Sequence, residues 1–169
     1  GNLVLNLYDA STCRWLRQQS NLLDGEGLRN AYWQGIVGPD GYFHLSWLWR
    51  ESANVETNHD IAYARSDDCG VTWKKIDNSQ YDLPINASTS DYAWLVPPSH
   101  ELINQTSVAV DKLGRPYIAT YFRNEGEDSP QFQVIFHDGY RWRKSQVGHR
   151  RLAFRLSGPG SKRIPISRP

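Results

Sequence analysis

The residues that could do chemistry in this chain are histidine, tyrosine and arginine, placed at the ends of strand-like segments. His59 stands in Asn58-His59-Asp60, at the start of an apolar-rich stretch. A neutral imidazole accepts a proton near pH 7, so His59 is the first candidate for a general base; the alternative is a loop histidine bonded locally. Arg50 and Arg123 close two matching segments, and their guanidinium forks suit a carboxylate or a sulfate. A structural role at the strand edge stays open for at least one of them. Tyr121 lies two residues before Arg123 on the same strand face, where its phenol could give or take a proton, or simply pack. Arg168 sits in Ile164-Pro165-Ile166-Ser167-Arg168-Pro169, which reads as a strand beside a channel. A cation there must meet an anion or stay unpaired at a cost. His44, Tyr117 and His137 alternate with apolar positions and read as structural, while His100 and His149 fall in loops. No Cys-x-x-Cys, no His-Glu-x-x-His and no phosphate-binding glycine loop occurs, so neither a metal site nor a cofactor is expected.

The elements that must hold these residues are strands. Ser66 to Trp73 reads Ser-Asp-Asp-Cys-Gly-Val-Thr-Trp and fits the Asp-box pattern Ser-x-Asp-x-Gly-x-Thr-Trp. In it, the Asp68 carboxylate can accept backbone N–H bonds, Gly70 can supply a positive φ, and Trp73 can plug the next layer. Such a turn joins the third and fourth strands of an antiparallel unit. The decad Gly41 to Arg50 also aligns with Gly114 to Arg123, 73 positions later, and both end in aromatic-Arg. Strands are expected at 33–37, 42–49, 59–66 and 72–76, and again at 106–110, 116–122, 131–137 and 141–147, with no amphipathic helix. A further hairpin spans Leu3 to Trp15.

The repeat unit is a four-stranded antiparallel blade, so the expected fold is all-β, a β-propeller. Residues 1–24 read as the outer half of one blade, 30–77 and 104–147 as two whole blades, and 162–169 as the first strand of another. That makes two and a half to three blades of a longer protein, since closure takes four to eight. The loops at 51–58, 78–103, 124–130 and 148–162 share the face opposite the Asp-box, and long loops on a rigid scaffold are where function sits.

Composition narrows the partners. The chain has 169 residues, seven Trp, nine Tyr and a net charge of +1. Aromatic richness suits propellers and sugar binders alike. The charge is uneven: no acid follows Asp138, whereas nine Lys or Arg follow Gly139. This favours a polyanion, unless acids elsewhere in a longer protein balance it. The lack of a recognised binding motif beside the basic stretch argues against nucleic acid. No membrane span is present, and the start of the chain leaves secretion open. Cys13 and Cys69 are too few for a disulfide scaffold and are expected as free thiols.

The stretches Arg29-Asn30-Ala31-Tyr32-Trp33-Gln34, His44-Leu45-Ser46-Trp47, Asn58-His59-Asp60, Tyr63-Ala64-Arg65-Ser66, Glu101-Leu102-Ile103-Asn104 and Lys162 to Pro169 together resemble the BNR-repeat propellers. Within these, the chain is most similar to the ulvan lyases of polysaccharide lyase family 24. The resemblance implies a seven-bladed, monomeric propeller with a canyon for a sulfated, uronate-bearing algal polysaccharide, cleaved by β-elimination. On the residues themselves, His59, Tyr121 and Arg168 are expected to carry the catalysis and Arg50, Asn58, Asn104 and Arg123 to bind substrate, while which His and Tyr match the family's pair stays open; a secreted, periplasmic or cell-surface location is expected with this activity. No cofactor follows from it, although a structural metal ion in the full-length protein is compatible with it.

Two other classes compete. A sialidase-like glycosidase also carries Asp-boxes, but it needs an arginine triad seeded by an early Arg-Ile-Pro strand. Here Arg163-Ile164-Pro165 comes only after two blades. A non-catalytic carbohydrate-binding propeller needs only the aromatic and cationic surface.

Overall fold

Period-two alternation and the 73-residue repeat become strands in the computed structural model, which describes residues 1–104 and 106–159. The expected strand at 162–169, with Arg168, lies outside the described residues. β1 (Leu3–Asp9) and β2 (Arg14–Leu23) pair as a two-stranded sheet. β3 (Asn30–Val37), β4 (Phe43–Arg50), β5 (Asn58–Ser66) and β6 (Asp91–Trp94) form a four-stranded antiparallel sheet in that order. β7 (Ser107–Val110), β8 (Pro116–Phe122), β9 (Gln131–His137) and β10 (Trp142–Val147) form a second one. Between β4 and β5 lies a short 3-10 turn at Val55–Thr57.

The fold is a β-propeller, and the two four-stranded sheets are blades packed face to face. Their first strands approach each other, β7 lying against β3 and β4, while β6 meets β9 further out. Side-chain alternation explains why β4 is apolar almost throughout. Leu45, Trp47 and Trp49 point toward β2 and join Leu22, Leu23, Ala62, Ala64 and Trp73 in one core. Leu48 points the other way, with Ile61, Tyr63, Ile118, Phe122 and Ile135 in the core between the two blades. A sheet covered on both faces loses the polar half of its pattern. Burying each such Trp or Leu contributes on the order of 2 kcal/mol, which makes these interfaces the main source of stability.

One expected strand is elsewhere. The segment 72–76 does not form the fourth strand; Lys74 alone bridges Arg65, and the fourth strand is β6, at Asp91–Trp94. Trp73 is drawn wholly into the core, and its indole N–H donates to the Gly70 carbonyl at 3.1 Å. Asn78 then turns the chain at φ 71°, and Lys74 bridges Gln80. The Tyr81 hydroxyl ties the excursion down, donating to the Tyr63 carbonyl at 2.8 Å and accepting the Asp91 N–H at 2.9 Å. Much of the expected 78–103 loop therefore lies on the Ser66–Trp73 side. Further on, Ile85 bridges Leu23 at the end of β2, and the part after Trp94 reaches the face that carries Arg50.

The Ser66–Trp73 turn is fixed by its own side chains. Asp68 accepts the Thr72 N–H at 2.9 Å and the Thr72 hydroxyl at 2.7 Å, and Ser66 Oγ donates to it at 2.8 Å. Gly70 has φ 85°, and a Cβ there would meet Leu5 Cδ2 at 2.3 Å. The turn is thus docked on the β1–β2 hairpin, where Gln19 donates to the carbonyls of Gly70 and Val71.

Candidate functional site

The site is built where β4 ends and β5 begins. Register places Asn30, Arg50 and Asn58 side by side across β3, β4 and β5. The Asn58 amide donates to the Leu102 carbonyl at 2.8 Å and to Asn104 Oδ1 at 2.7 Å, tying this row to the segment before β7. An open pocket of about 380 Å³ forms there, lined by Asn30, Tyr32, Arg50, Ser52, Asn104 and Pro159, among others. Three of the expected substrate-binding residues, Arg50, Asn58 and Asn104, are brought together, although Asn58 buttresses Asn104 rather than lining the pocket.

Arg50 is the unusual member. It is 5 % exposed, and its guanidinium donates to the carbonyls of Ser52 (2.9 Å) and Ala53 and to the Tyr32 hydroxyl (3.4 Å). Its carbon lies 5.6 Å from the Tyr32 ring centre. All of these partners are neutral. The carbonyls position the fork without cancelling its charge, so the pocket keeps a nearly buried cation at its wall. Such a cation interacts far more strongly with an anion than one in bulk water does.

Its repeat twin, Arg123, is neutralised instead. Arg123 Nε donates to Glu101 Oε2 at 2.8 Å, and its other nitrogens reach the carbonyls of Glu127 and Ser99. Glu101 is itself buried and also pairs with Arg155 at 3.2 Å. In this position Arg123 joins loops; its fork is not free for a ligand.

His59 occupies the next row, opposite Trp49. A bulge follows at once: Asp60 has φ 52°, its N–H donates to the Val96 carbonyl, and its Oδ1 accepts the Val96 N–H. Bulges re-aim side chains next to sites. This one turns Asp60 Oδ2 onto His59 Nδ1 at 2.9 Å, while Glu51 Oε1 holds His59 Nε2 at 2.8 Å. The same Glu51 oxygen accepts Arg29 Nε at 2.8 Å. The Asp60 bond raises the His59 pKa, burial opposes it, and Glu51 adds to the rise. Burial pushes the Glu51 carboxyl up, but Arg29 and His59 outweigh it and hold the group below its usual range. His59 therefore favours the imidazolium, which donates a proton or stabilises negative charge more readily than it abstracts a proton.

Tyr121 is placed in the core. It is wholly buried, with its ring edge-on to Phe132 and Phe154 and packed with Ile103 and Leu156. The segment carrying Phe154 and Leu156 covers it, so a ligand reaches the phenol only if that segment moves. Tyr32 and Asn30, by contrast, had no role assigned from the sequence and line the pocket. The available signal was their alternate placing on the first strand of a blade, inside a stretch that carries the family resemblance.

Buried His44 lies between Tyr63 Oη (2.6 Å) and Asp40 (3.1 Å). Burial lowers its pKa and raises that of Tyr63. Asp40 also meets the next blade, since a Cβ on Gly114 would come within 2.6 Å of it. This triad is interblade structure, as expected for His44. Cys13 and Cys69 are both free and exposed. Among the described residues, no group of three or more His, Cys, Asp or Glu is placed to hold a metal ion, and no helix is long and apolar enough to cross a membrane.

Comparison with solved structures finds the same fold in polysaccharide lyases. "Crystal structure of polysaccharide lyase Uly1" matches with a TM-score of 0.65 and 14% identity, over 85% of this chain and 35% of that one. A PL25 ulvan lyase matches with a TM-score of 0.63 and 15% identity, over 85% and 37%. The same kind of lyase bound to -[GlcA(1-4)Rha3S]- matches at 0.53 and 17% identity, over 69% and 30%. The chain thus spans about a third of the length of these lyases, and the number two of them carry is 25 rather than the expected 24. Comparison with curated protein sequences finds no match. A family model described as BNR repeat-containing family member covers residues 1–150, and the chain belongs to that family.

Proposed function

We propose that this chain is part of a polysaccharide lyase that cleaves a sulfated, uronate-bearing polysaccharide such as ulvan by β-elimination. The observation that carries the reading is Arg50, a nearly buried guanidinium with neutral partners at the wall of an open pocket, on a fold shared with ulvan lyases.

Elimination takes the proton from C5 of the uronate. The C–H electrons become the C4–C5 double bond, and the C4–O bond breaks toward the leaving oxygen, which then takes a proton. The C5 proton is acidic enough only when the adjacent carboxylate is neutralised, the task that suits Arg50. Tyr32 presents its hydroxyl in the same pocket and can exchange a proton with the sugar. The His59 imidazolium suits the leaving oxygen or the developing charge. Asn104 and Asn30 supply amides for orientation, and Arg168, from its sequence position, is a second anion holder. The protein acts outside the cytoplasm, where a polymer too large to enter a cell is met, and it works as a monomer.

A non-catalytic carbohydrate-binding role is the second reading. It is favoured by one observation: both ring nitrogens of His59 are already held, by Glu51 and Asp60. Incubating the full-length protein with ulvan separates the two. New ultraviolet absorbance from unsaturated uronate supports the lyase, whereas binding without new absorbance supports the second reading.

A further inference from the structure

A second cavity, of about 250 Å³, opens between the two blades toward their outer strands, on the face that carries Arg50. Trp94 and Leu95 at the end of β6, Phe122 at the end of β8, Asn124 and Lys144 line it. Leu95 is 66% exposed, an apolar side chain beside an open cavity.

Lys144 is the centre of this cavity. Its ammonium lies 5.3 Å from the Trp94 ring centre and 5.3 Å from that of Phe122. It donates to Asn124 Oδ1 at 2.5 Å. Asn124 is fixed in turn, its amide nitrogen donating to Glu127 at 3.0 Å and to Gln146 at 3.2 Å. An ammonium has three N–H donors, and Asn124 takes one. Glu127 faces Asn124 and makes no ion pair with the lysine. Burial lowers the Lys144 pKa, with the Glu127 charge opposing. The cavity therefore combines an aromatic wall, an exposed apolar side chain and a lysine that makes no direct ion pair among the described residues, with Arg123, already paired to Glu101, and Glu125 also in its lining.

Saccharides bind through this combination, with the C–H face of the ring on an aromatic side chain and a charged substituent on a cation. We propose that the Trp94–Lys144 cavity is a second saccharide subsite, which packs a sugar ring on Trp94 and Leu95 and holds its sulfate or carboxylate on Lys144. The inference rests on the reading of an anionic polysaccharide as ligand, but not on cleavage. A chain bound at both cavities would span from the Arg50 pocket to the outer strands.

The test uses the full-length protein and calorimetric titration with a sulfated, uronate-bearing oligosaccharide. Lys144→Met keeps the apolar stem between the rings and removes the charge. It is expected to weaken binding about tenfold, the worth of one charge-assisted contact. A desulfated and a carboxyl-reduced oligosaccharide show which group sits on Lys144: the one whose removal abolishes the Lys144→Met effect. Equal affinity of wild type and Lys144→Met, or equal binding of inorganic sulfate alone, overturns the proposal. Should Lys144→Met fail to fold, the Trp94 indole N–H resonance decides, followed in an Arg50→Met background. A shift on adding oligosaccharide supports the subsite, and no shift overturns it. A protein that shows the shift but never cleaves keeps this subsite and loses the lyase reading; one that cleaves without the shift does the reverse.

Discussion

Glu51 Oε1 lies 2.8 Å from His59 Nε2 and, at the same distance, accepts the Arg29 guanidinium. One carboxylate oxygen thus couples two cations at the start of β5, while Asp60 holds the other ring nitrogen. The arrangement stabilises a charged histidine next to the row that carries Arg50, and it has a measurable consequence for pH.

The folded pKa of His59 is raised, so its contribution to stability is fully present below its unfolded value of about 6.5 and is lost as pH rises through the folded value. Comparing unfolding free energies of wild type and His59→Gln should show the wild-type advantage shrinking above neutrality. His44 works in the opposite sense: its lowered pKa makes the fold lose stability as pH falls below about 6.5. The difference between wild type and the single variant separates them. An advantage for His59 that grows with pH would contradict the network described.

Arg50 and Arg123 should respond differently. Arg50→Lys keeps a charge but loses the fork, and is expected to lower kcat/KM by about 10² or more with little change in unfolding midpoint. Arg123→Leu leaves buried Glu101, among the described residues, with only the exposed Arg155 and is expected to destabilise by about 3 kcal/mol. Thermal unfolding and steady-state kinetics on both variants check this; a stable Arg123→Leu protein that has lost only activity would reverse the assignment.

Asp68→Ala removes the acceptor of the Thr72 N–H and hydroxyl. It should cost about 1–3 kcal/mol in urea unfolding, because the turn's donors lose their partner. Activity of the folded protein should persist, since the turn lies on the face away from Arg50.

These contrasts show what the sequence could and could not carry. The alternation of β4 and the 73-residue repeat made the strands readable, because a two-residue period and turn residues act locally. Trp73-Lys74-Lys75-Ile76 read as a strand for the same local reason, but the core drew Trp73 inward and left only Lys74 to pair. Arg50 and Arg123 are equivalent letters at equivalent positions. What separates them is Glu101, delivered by a loop 22 residues earlier than Arg123. The partners of His59 were hidden likewise, because Glu51 returns across a loop and Asp60 turns through a bulge. Tyr121 looked available because its covering residues, Phe154 and Leu156, come from a segment with no strand pattern.

The most direct measurement is ultraviolet absorbance during incubation of the full-length protein with ulvan, for wild type and Arg50→Met. The account predicts a steady rise from unsaturated uronate with wild type, falling by at least about 10² with Arg50→Met while the fold is kept. No rise with folded wild type, or an equal rise with Arg50→Met, would contradict it.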